Sequence, residues 1–423
     1  MDKLFIERSG PLRGTVSVHG AKNAVLPIMA ACLLTDEPSV ITNVPPVTDV
    51  LTMIEILRGL GVHASLTGDQ LAIHPDGYAG VMAPYELVSR MRASVCVLGP
   101  LLAKHGKAKV SMPGGCVIGA RPIDLHLKGL QALGASVEIQ HGYIIASTGG
   151  LRGARVQLGG AFGSSVLATG NVMMAASLAA GETVIEQAAC EPEVLDLAHF
   201  LITMGARIEG YGSPVIRIEG VNRLRGAHYR IIPDRIEAGT LMIAVAMAGG
   251  DVTIEGARAE HLGAVMDKLT EAGASIEKLD GALRIQSNGS LKAVEVTTLP
   301  FPGFPTDLQA QMMALMAVSR GVSLLTEKIY PERFMHICEL NRMGARITRE
   351  GASAVVKGVE QLHGAPVVAP DLRASAALML AGLVAENHTE LEGLDHMERG
   401  YAGLTEALAR LGAKITRVKK AQD

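Results

Sequence analysis

Tryptophan is absent from the 423 residues, and all aromatic side chains together make up 3% of them. A chain so poor in flat rings offers little on which nucleic-acid bases could stack. Charge is equally uncommitted: 39 Lys and Arg face 42 Asp and Glu, a formal net charge of -3, so no bulk positive field points to nucleic acid or an anionic membrane. Long apolar runs are missing too. A bilayer span needs about 18 uninterrupted apolar residues, and the greasiest stretches are broken by Pro27, by Gly170 and Asn171, or by Arg373. Met1-Asp2-Lys3-Leu4-Phe5 lacks the apolar run of a signal peptide, so a cytoplasmic protein is expected. Five cysteines, an odd number without regular spacing, make neither a disulfide framework nor a zinc pattern, and they suit a reducing compartment. Nothing in the chain demands a metal or an organic cofactor.

What the chain does have is a repeat. A segment of the form Leu-x-x-x-Gly-Ala-x-Ile recurs with small variations at Leu57 to Ala64, Leu130 to Val137, Leu201 to Ile208, Leu269 to Ile276, Leu340 to Ile347 and Leu408 to Ile415. The spacing is roughly 70 residues, too long for a solenoid unit and suited to a small packed subdomain. Apolar residues before each copy recur at helical spacing, as at Val50, Ile54 and Leu57; the glycine supplies a left-handed turn; an alternation such as Ala413-Lys414-Ile415-Thr416 then reads as a strand. Upstream of each glycine lies a nearly all-apolar helix: Ala24 to Leu34, Ala93 to Ala103, Val166 to Ala180, Ala238 to Ala248, Leu308 to Val318 and Arg373 to Val384. Helices apolar on every side must be buried. Strand, helix and strand in succession predict crossovers within small sheets, so the fold class is α/β, with three repeats packed around their buried helices per lobe and two lobes in all.

Of the cysteines, Cys32 and Cys96 fall on buried helices, and Cys338 on a helix after Met335 is expected to be a packing residue. Cys190 lies in a polar loop beside Glu191. Cys116 differs, because it follows Pro113-Gly114-Gly115 and precedes Gly119-Ala120-Arg121: glycines make the loop pliant and a permanent cation nearby favours thiolate. Spacing alone leaves both a reactive thiol and an inert loop cysteine open. Cations and carboxylates also gather at the starts of the buried helices: Lys22 and Asn23, Arg92, Asp234 with Arg235 and Glu237, Thr306 and Asp307, Asp371 and Arg373. Unpaired N–H groups and a partial positive charge make such ends seats for anions, so a multiply charged anionic substrate is expected. Arg121, Arg333 and Arg399 fall in loops that lead into helices.

The blocks Gly20-Ala21-Lys22-Asn23-Ala24, Pro113 to His126, Pro233 to Thr240, Gly303 to Gln311 and Asp371 to Ser375 together resemble the UDP-N-acetylglucosamine enolpyruvyl transferases of the EPSP synthase family, in order and over the whole length. The resemblance implies a two-lobed inside-out α/β barrel of six repeats, three per lobe. It implies one lobe from residues 1–21 with 230–423, and another from 22–229 that carries the Cys116 loop. The activity implied is transfer of the enolpyruvyl group of phosphoenolpyruvate to the 3'-hydroxyl of UDP-N-acetylglucosamine with release of phosphate, the first committed step of peptidoglycan synthesis, in a site that forms as the lobes close. Both substrates are small molecules, and neither nucleic acid nor membrane is involved.

Residue by residue, the resemblance implies Cys116 as the acid that protonates C3 of phosphoenolpyruvate and as the target of fosfomycin. Asp307 matches the carboxylate near the acceptor hydroxyl and is the candidate base, a role compatible with capping the helix that starts at Leu308. Lys22, Arg121 and Arg399 match phosphate-end cations, Lys22 and Arg399 counting with the catalytic set. Arg92 and Arg373 belong to the polar site, and Asn23 holds the intermediate. Pro122, Asp124, Leu125, Ser165, Val166 and Thr306 match substrate-binding positions, and Asp234, Glu191, Arg333 and His126 support them. His126 also reads as a helix-surface residue touching the nucleotide. One block departs: where the family shows Ser-Val-Gly-Ala-Thr, this chain has Ser165-Val166-Leu167-Ala168-Thr169, and Gly163 replaces an upstream basic residue. Leu167 is expected to crowd the nucleotide diphosphate, which leaves open an enolpyruvyl transferase for another acceptor.

Overall fold

The computed structural model describes residues 2–112, 114 and 123–419. They divide into a discontinuous unit, residues 2–19 with 233–419, and a continuous unit within residues 20–232.

In the discontinuous unit the buried helices are Arg235–Ala248, Gln309–Ala317, which follows a 3-10 turn Thr306–Leu308, and Leu372–Val384. All three pack on one another. Leu241, Ile243, Val245, Leu315, Leu378 and Leu380 are each 0% exposed. Burial worth roughly 1.5–3 kcal/mol per such side chain outweighs a helix-propensity penalty of at most about 0.7 kcal/mol for the Val and Ile residues. The continuous unit repeats the plan with Lys22–Ala31, Leu98–His105 and Val166–Ala176. The second of these begins late. Arg92–Val97 is a 3-10 segment, and the α-helix opens only at Leu98, which keeps Pro100, lacking an N–H, inside the first turn. Val166–Ala176 stops short of the expected Ala180, with the Ser177 hydroxyl turned back to the Met173 carbonyl at 2.9 Å.

Three four-stranded sheets belong to each unit, all with one order. The sheet of Val296–Thr298, Val322–Glu327, Arg346–Glu350 and Ser353–Lys357 shows it. The first strand runs parallel to the second, the second antiparallel to the fourth, and the third closes a hairpin on the fourth at the far edge. The parallel pair requires a crossover, and the buried helix supplies it. Three sheets depart from sequence order. Leu12–Ser17 leads into the helix Lys22–Ala31 yet pairs with Gly250–Glu255, and His228–Arg230 leads into Arg235–Ala248 yet pairs with Ser39–Thr42. The N-terminal strand Lys3–Glu7 lies between His388–Glu392 and Lys414–Val418.

Every repeat glycine ends its helix with positive φ: Gly61 at 92°, Gly134 at 93°, Gly205 at 104°, Gly273 at 113°, Gly344 at 91° and Gly412 at 103°. Cys32 and Cys96 are fully buried, and burial pushes both thiols up to about 12, so neither ionises. Cys338 corrects the expectation of a packing residue. Its helix, His336–Arg342, turns Ile337 and Leu340 inward and leaves Cys338 exposed.

Candidate active site

In the discontinuous unit two buried helices start on aspartates. Asp234 Oδ1 accepts from the Ile236 and Glu237 amides at 2.7 and 3.2 Å, and Asp371 Oδ1 from those of Arg373 and Ala374 at 2.7 and 3.0 Å. Each cap satisfies N–H groups that the helix cannot. Asp307 does not do this, so the lesser, capping role that its position allowed is not taken up: the turn Thr306–Leu308 starts at Pro305, and no side chain caps it.

Instead the Asp307 carboxylate is shared by two guanidiniums. Arg333 Nη1 donates to its Oδ1 at 2.9 Å and Arg373 Nη2 to its Oδ2 at 2.9 Å. Both arginines are buried, at 4% and 2% exposure. Burial alone pushes the Asp307 carboxyl up, but the fields and hydrogen bonds of Arg373 and Arg333 outweigh it and hold the group well below the carboxylate range. Arg333 Nη1 also donates to the carbonyl and hydroxyl of Thr306, at 3.0 and 3.1 Å, and that hydroxyl donates to Glu327 Oε2 at 2.9 Å. Glu327, 0% exposed, anchors the far end by accepting at Oε1 from the Thr298 hydroxyl at 2.6 Å and from the Ile329 amide at 2.8 Å. Thr306, Asp307, Arg333 and Arg373 thus form one hydrogen-bonded cluster, two cations on one carboxylate. Among the described residues nothing accepts from Arg373 Nε and Nη1 or from Arg333 Nε. An ionised, oriented carboxylate with guanidinium edges beside it suits a hydroxyl on an anionic molecule. Arg399, at the end of the helix Leu394–Glu398, is half-buried.

In the continuous unit Lys22 begins its helix, 8% exposed, and its ammonium donates to Asp49 Oδ2 at 3.1 Å. Such a buried pair adds little net stability, because desolvating two ions offsets their attraction; its effect is to hold the ammonium at the helix start. Asn23 follows it in the first turn. Arg92 opens the 3-10 segment, and Ser165 caps Val166–Ala176 by accepting from the Ala168 amide at 3.3 Å. Asp124 is exposed and Leu125 half-buried in the first turn of Asp124–Ala132, and Glu191 precedes the helix Pro192–Thr203. His126 is not on the helix surface as expected. It is 1% exposed, its Nδ1 sits 3.0 Å from Asn171 Nδ2, and burial first, with Arg92 second, pushes its pKa down to about 3. Leu167 is half-buried and lines a small cavity with Asn23, Pro27, Cys96, Gly170 and Leu197. Cys116, Arg121 and Pro122 lie outside the described residues. Among the described residues no cluster of three or more His, Cys, Asp or Glu is placed to hold a metal ion, and no helix is long and apolar enough to cross a membrane.

Sequence reasoning missed Asp49, Glu327, Thr240, Gln311 and Tyr401, whose roles come from contacts between distant segments. Thr240 and Gln311 end two of the blocks that carry the family resemblance, and Tyr401, one of 7 tyrosines, lies two residues after Arg399.

The sequence model of EPSP synthase (3-phosphoshikimate 1-carboxyvinyltransferase) matches residues 6–408. UDP-N-acetylglucosamine 1-carboxyvinyltransferase 1 of Caldanaerobacter subterraneus is 54% identical over 415 residues, 98% of this chain and 99% of that one. UDP-N-acetylglucosamine 1-carboxyvinyltransferase of Methylacidiphilum infernorum is 52% identical over 418 residues, 99% of each. Among solved structures, the enolpyruvyl transferase NikO from Streptomyces tendae superposes with a TM-score of 0.88 at 24% identity, covering 98% of both chains. EPSP synthase from Acinetobacter baumannii gives 0.76 at 18% identity, covering 99% and 100%. Identities that low establish a shared fold alone.

Proposed function

Since the chain belongs to the EPSP synthase family of enolpyruvyl transferases, enzymes that act on small molecules, we propose that it transfers the enolpyruvyl group of phosphoenolpyruvate to the 3'-hydroxyl of UDP-N-acetylglucosamine and releases phosphate. The observation that carries this reading is identity of 52–54% over essentially the whole chain to proteins named for that reaction. The same reading makes the step the first committed one of peptidoglycan synthesis and puts the protein in the cytoplasm. It takes residues 1–21 with 230–423 and residues 22–229 as the family's two lobes.

The reaction is an addition followed by an elimination. The sugar hydroxyl adds to C2 of phosphoenolpyruvate as C3 gains a proton from Cys116; the tetrahedral adduct then expels phosphate while C3 loses a proton and the double bond returns. A thiol suits the acid's role because its pKa lies close to working pH and can be tuned by a cation such as Arg121, five residues along the chain. Asp307 orients the acceptor hydroxyl and takes its proton as the C–O bond forms. A carboxylate held ionised by Arg333 and Arg373 is a weak base at rest. It suffices because the hydroxyl proton becomes strongly acidic as its oxygen turns cationic in the adding complex.

Lys22, Arg121 and Arg399 neutralise the phosphate being expelled, which unpaired would be prohibitive to bury. Arg92 and Arg373 serve the remaining anionic groups, and Asn23 steadies the adduct. Pro122, Asp124, Leu125, Ser165, Val166, Asp234, Thr306 and Arg333 bind the substrates, with Glu191 and His126 in support. His126, being buried, acts through the helix it belongs to and not by surface contact. The other acceptor that Leu167 left open is not favoured, because relatives 52–54% identical over essentially the whole chain are named for UDP-N-acetylglucosamine.

The test is phosphate release from phosphoenolpyruvate with UDP-N-acetylglucosamine, shikimate 3-phosphate or other UDP-sugars as sole acceptor. Release is expected with UDP-N-acetylglucosamine alone. Release only with a different acceptor replaces the substrate assignment, and none with any acceptor removes the activity.

A further inference from the structure

A ring and a hydroxyl that the reaction above does not use sit directly behind its carboxylate. Tyr401 is 5% exposed and follows the helix Leu394–Glu398 by three residues. Its hydroxyl lies 3.0 Å from the Thr240 hydroxyl, in the helix Arg235–Ala248, and accepts from Gln311 Nε2, in Gln309–Ala317, at 3.0 Å. The same amide nitrogen reaches the Asp307 main-chain oxygen at 3.1 Å. The Tyr401 ring faces the third buried helix, with the Arg373 guanidinium over it 5.1 Å from the centroid. One side chain therefore touches all three buried helices near their starts. Through Gln311 it is tied to the backbone of Asp307, and through Arg373 to its carboxylate.

We propose that Tyr401 is a positioning residue for the transfer reaction: its ring seats Arg373, its hydroxyl fixes Gln311, and together they hold Asp307 in the orientation from which it meets the acceptor hydroxyl. The inference rests on the transferase reading of Asp307. A buried tyrosine hydroxyl needs at least one polar partner. Here it has two polar partners on separate helices, and the guanidinium on its face is one that grips the carboxylate. Arg373 Nη2 donates to Asp307 Oδ2, and the ring beneath the guanidinium limits how far it can turn about that bond. The ionisable groups facing this site are Arg333 and Arg373 on Asp307, then Asp234, Asp371, His336 and Tyr401 behind the two guanidiniums.

The test uses full-length Tyr401→Leu and Tyr401→Phe. Loss of the ring is expected to lower kcat by roughly ten- to hundredfold, the scale on which small misplacements of a reacting group cost rate, with KM for UDP-N-acetylglucosamine within about twofold. Tyr401→Phe, which keeps the ring, recovers much of that kcat. The second readout is the Asp307 carboxyl titration, followed by carbon NMR of labelled enzyme without substrate. In Tyr401→Leu it rises toward the ordinary aspartate range as Arg373 loosens. A Tyr401→Leu enzyme that melts lower but keeps wild-type kcat and an unshifted Asp307 titration overturns the proposal. If Tyr401→Leu does not fold, a Tyr401→Phe enzyme with wild-type kcat and no ordering loss at Gln311 overturns it as well. Failure of the wild-type enzyme to release phosphate sinks the transferase reading instead, and the titration tells the two failures apart.

Discussion

At the scale of single residues the polar groups inside the helices carry more than their types suggest. Asn171 interrupts an apolar run, and its amide is fully committed: Oδ1 accepts from the Gly99 amide at 2.7 Å, and Nδ2 donates to the Val95 carbonyl at 2.8 Å and faces His126 Nδ1 at 3.0 Å. With Oδ1 fixed by Gly99, Nδ1 of His126 must accept, so the ring is neutral with its proton on Nε2. The folded pKa of His126 is pushed down to about 3, while the unfolded ring titrates near the ordinary 6.5. Above that value neither state holds the extra proton; below it the unfolded chain takes one up and the folded one does not. Stability is therefore lost as pH falls from 6.5 toward 3, by up to about 1.4 kcal/mol per pH unit from this group. His126→Gln is expected to flatten the acid side of a plot of unfolding midpoint against pH. An unchanged slope would mean that the histidine titrates normally.

Among elements, the close approach of Leu98–His105 to Val166–Ala176 depends on one missing side chain. A Cβ on Gly99 would lie 2.4 Å from the Asn171 main-chain oxygen and 2.7 Å from its Oδ1. Both atoms are held, so the helices must part. Gly99→Ala is expected to cost about 1–3 kcal/mol, the usual range for overpacking, and to lower the melting temperature by several degrees on the scale of about 2–4 °C per kcal/mol for a unit of this size. A melting curve that does not move would show that the interface yields. Much at this scale could be read from the chain. The six Leu-x-x-x-Gly-Ala copies end helices at glycines with φ between 91° and 113°, and the apolar runs at Val25, Val172, Ile243 and Leu378 are buried helices. Helix ends were less legible, because Pro100 and Ser177 act through backbone groups that hydropathy does not register. Cys338 was misread because one short helix, His336–Arg342, buries only one side.

For the molecule as a whole, the decisive feature is the exchange of strands between chain segments. All strands of the three sheets in the continuous unit come from residues 20–232, whereas the discontinuous unit borrows Lys3–Glu7 and Leu12–Ser17 from the N-terminus. Lys3–Glu7 is an inner strand, with Leu4 and Ile6 at 1% and 0% exposure. A fragment of residues 20–232 is thus expected to fold alone with a cooperative thermal transition by circular dichroism. A fragment of residues 233–423 lacks a strand interior and an edge, and is expected to stay unfolded until a peptide of residues 1–19 is added. Cooperative folding of the second fragment without the peptide would refute this account.

The order of residues was enough to specify the repeat, the buried helices, the α/β class and, through five ordered blocks, the family, because periodicity and glycine placement are local properties of the chain. It also named Lys22, Asp307, Arg333 and Arg373 as residues worth locating. Tertiary structure alone decided what they touch: that Asp307 is a carboxylate gripped by two guanidiniums and not a helix cap, that His126 is buried, that Glu327 and Tyr401 stand behind the cluster, and that the first strands of two sheets are exchanged. These depend on contacts between segments tens to hundreds of residues apart, where desolvation and charge pairing act across space and leave no mark on the spacing of letters in the chain.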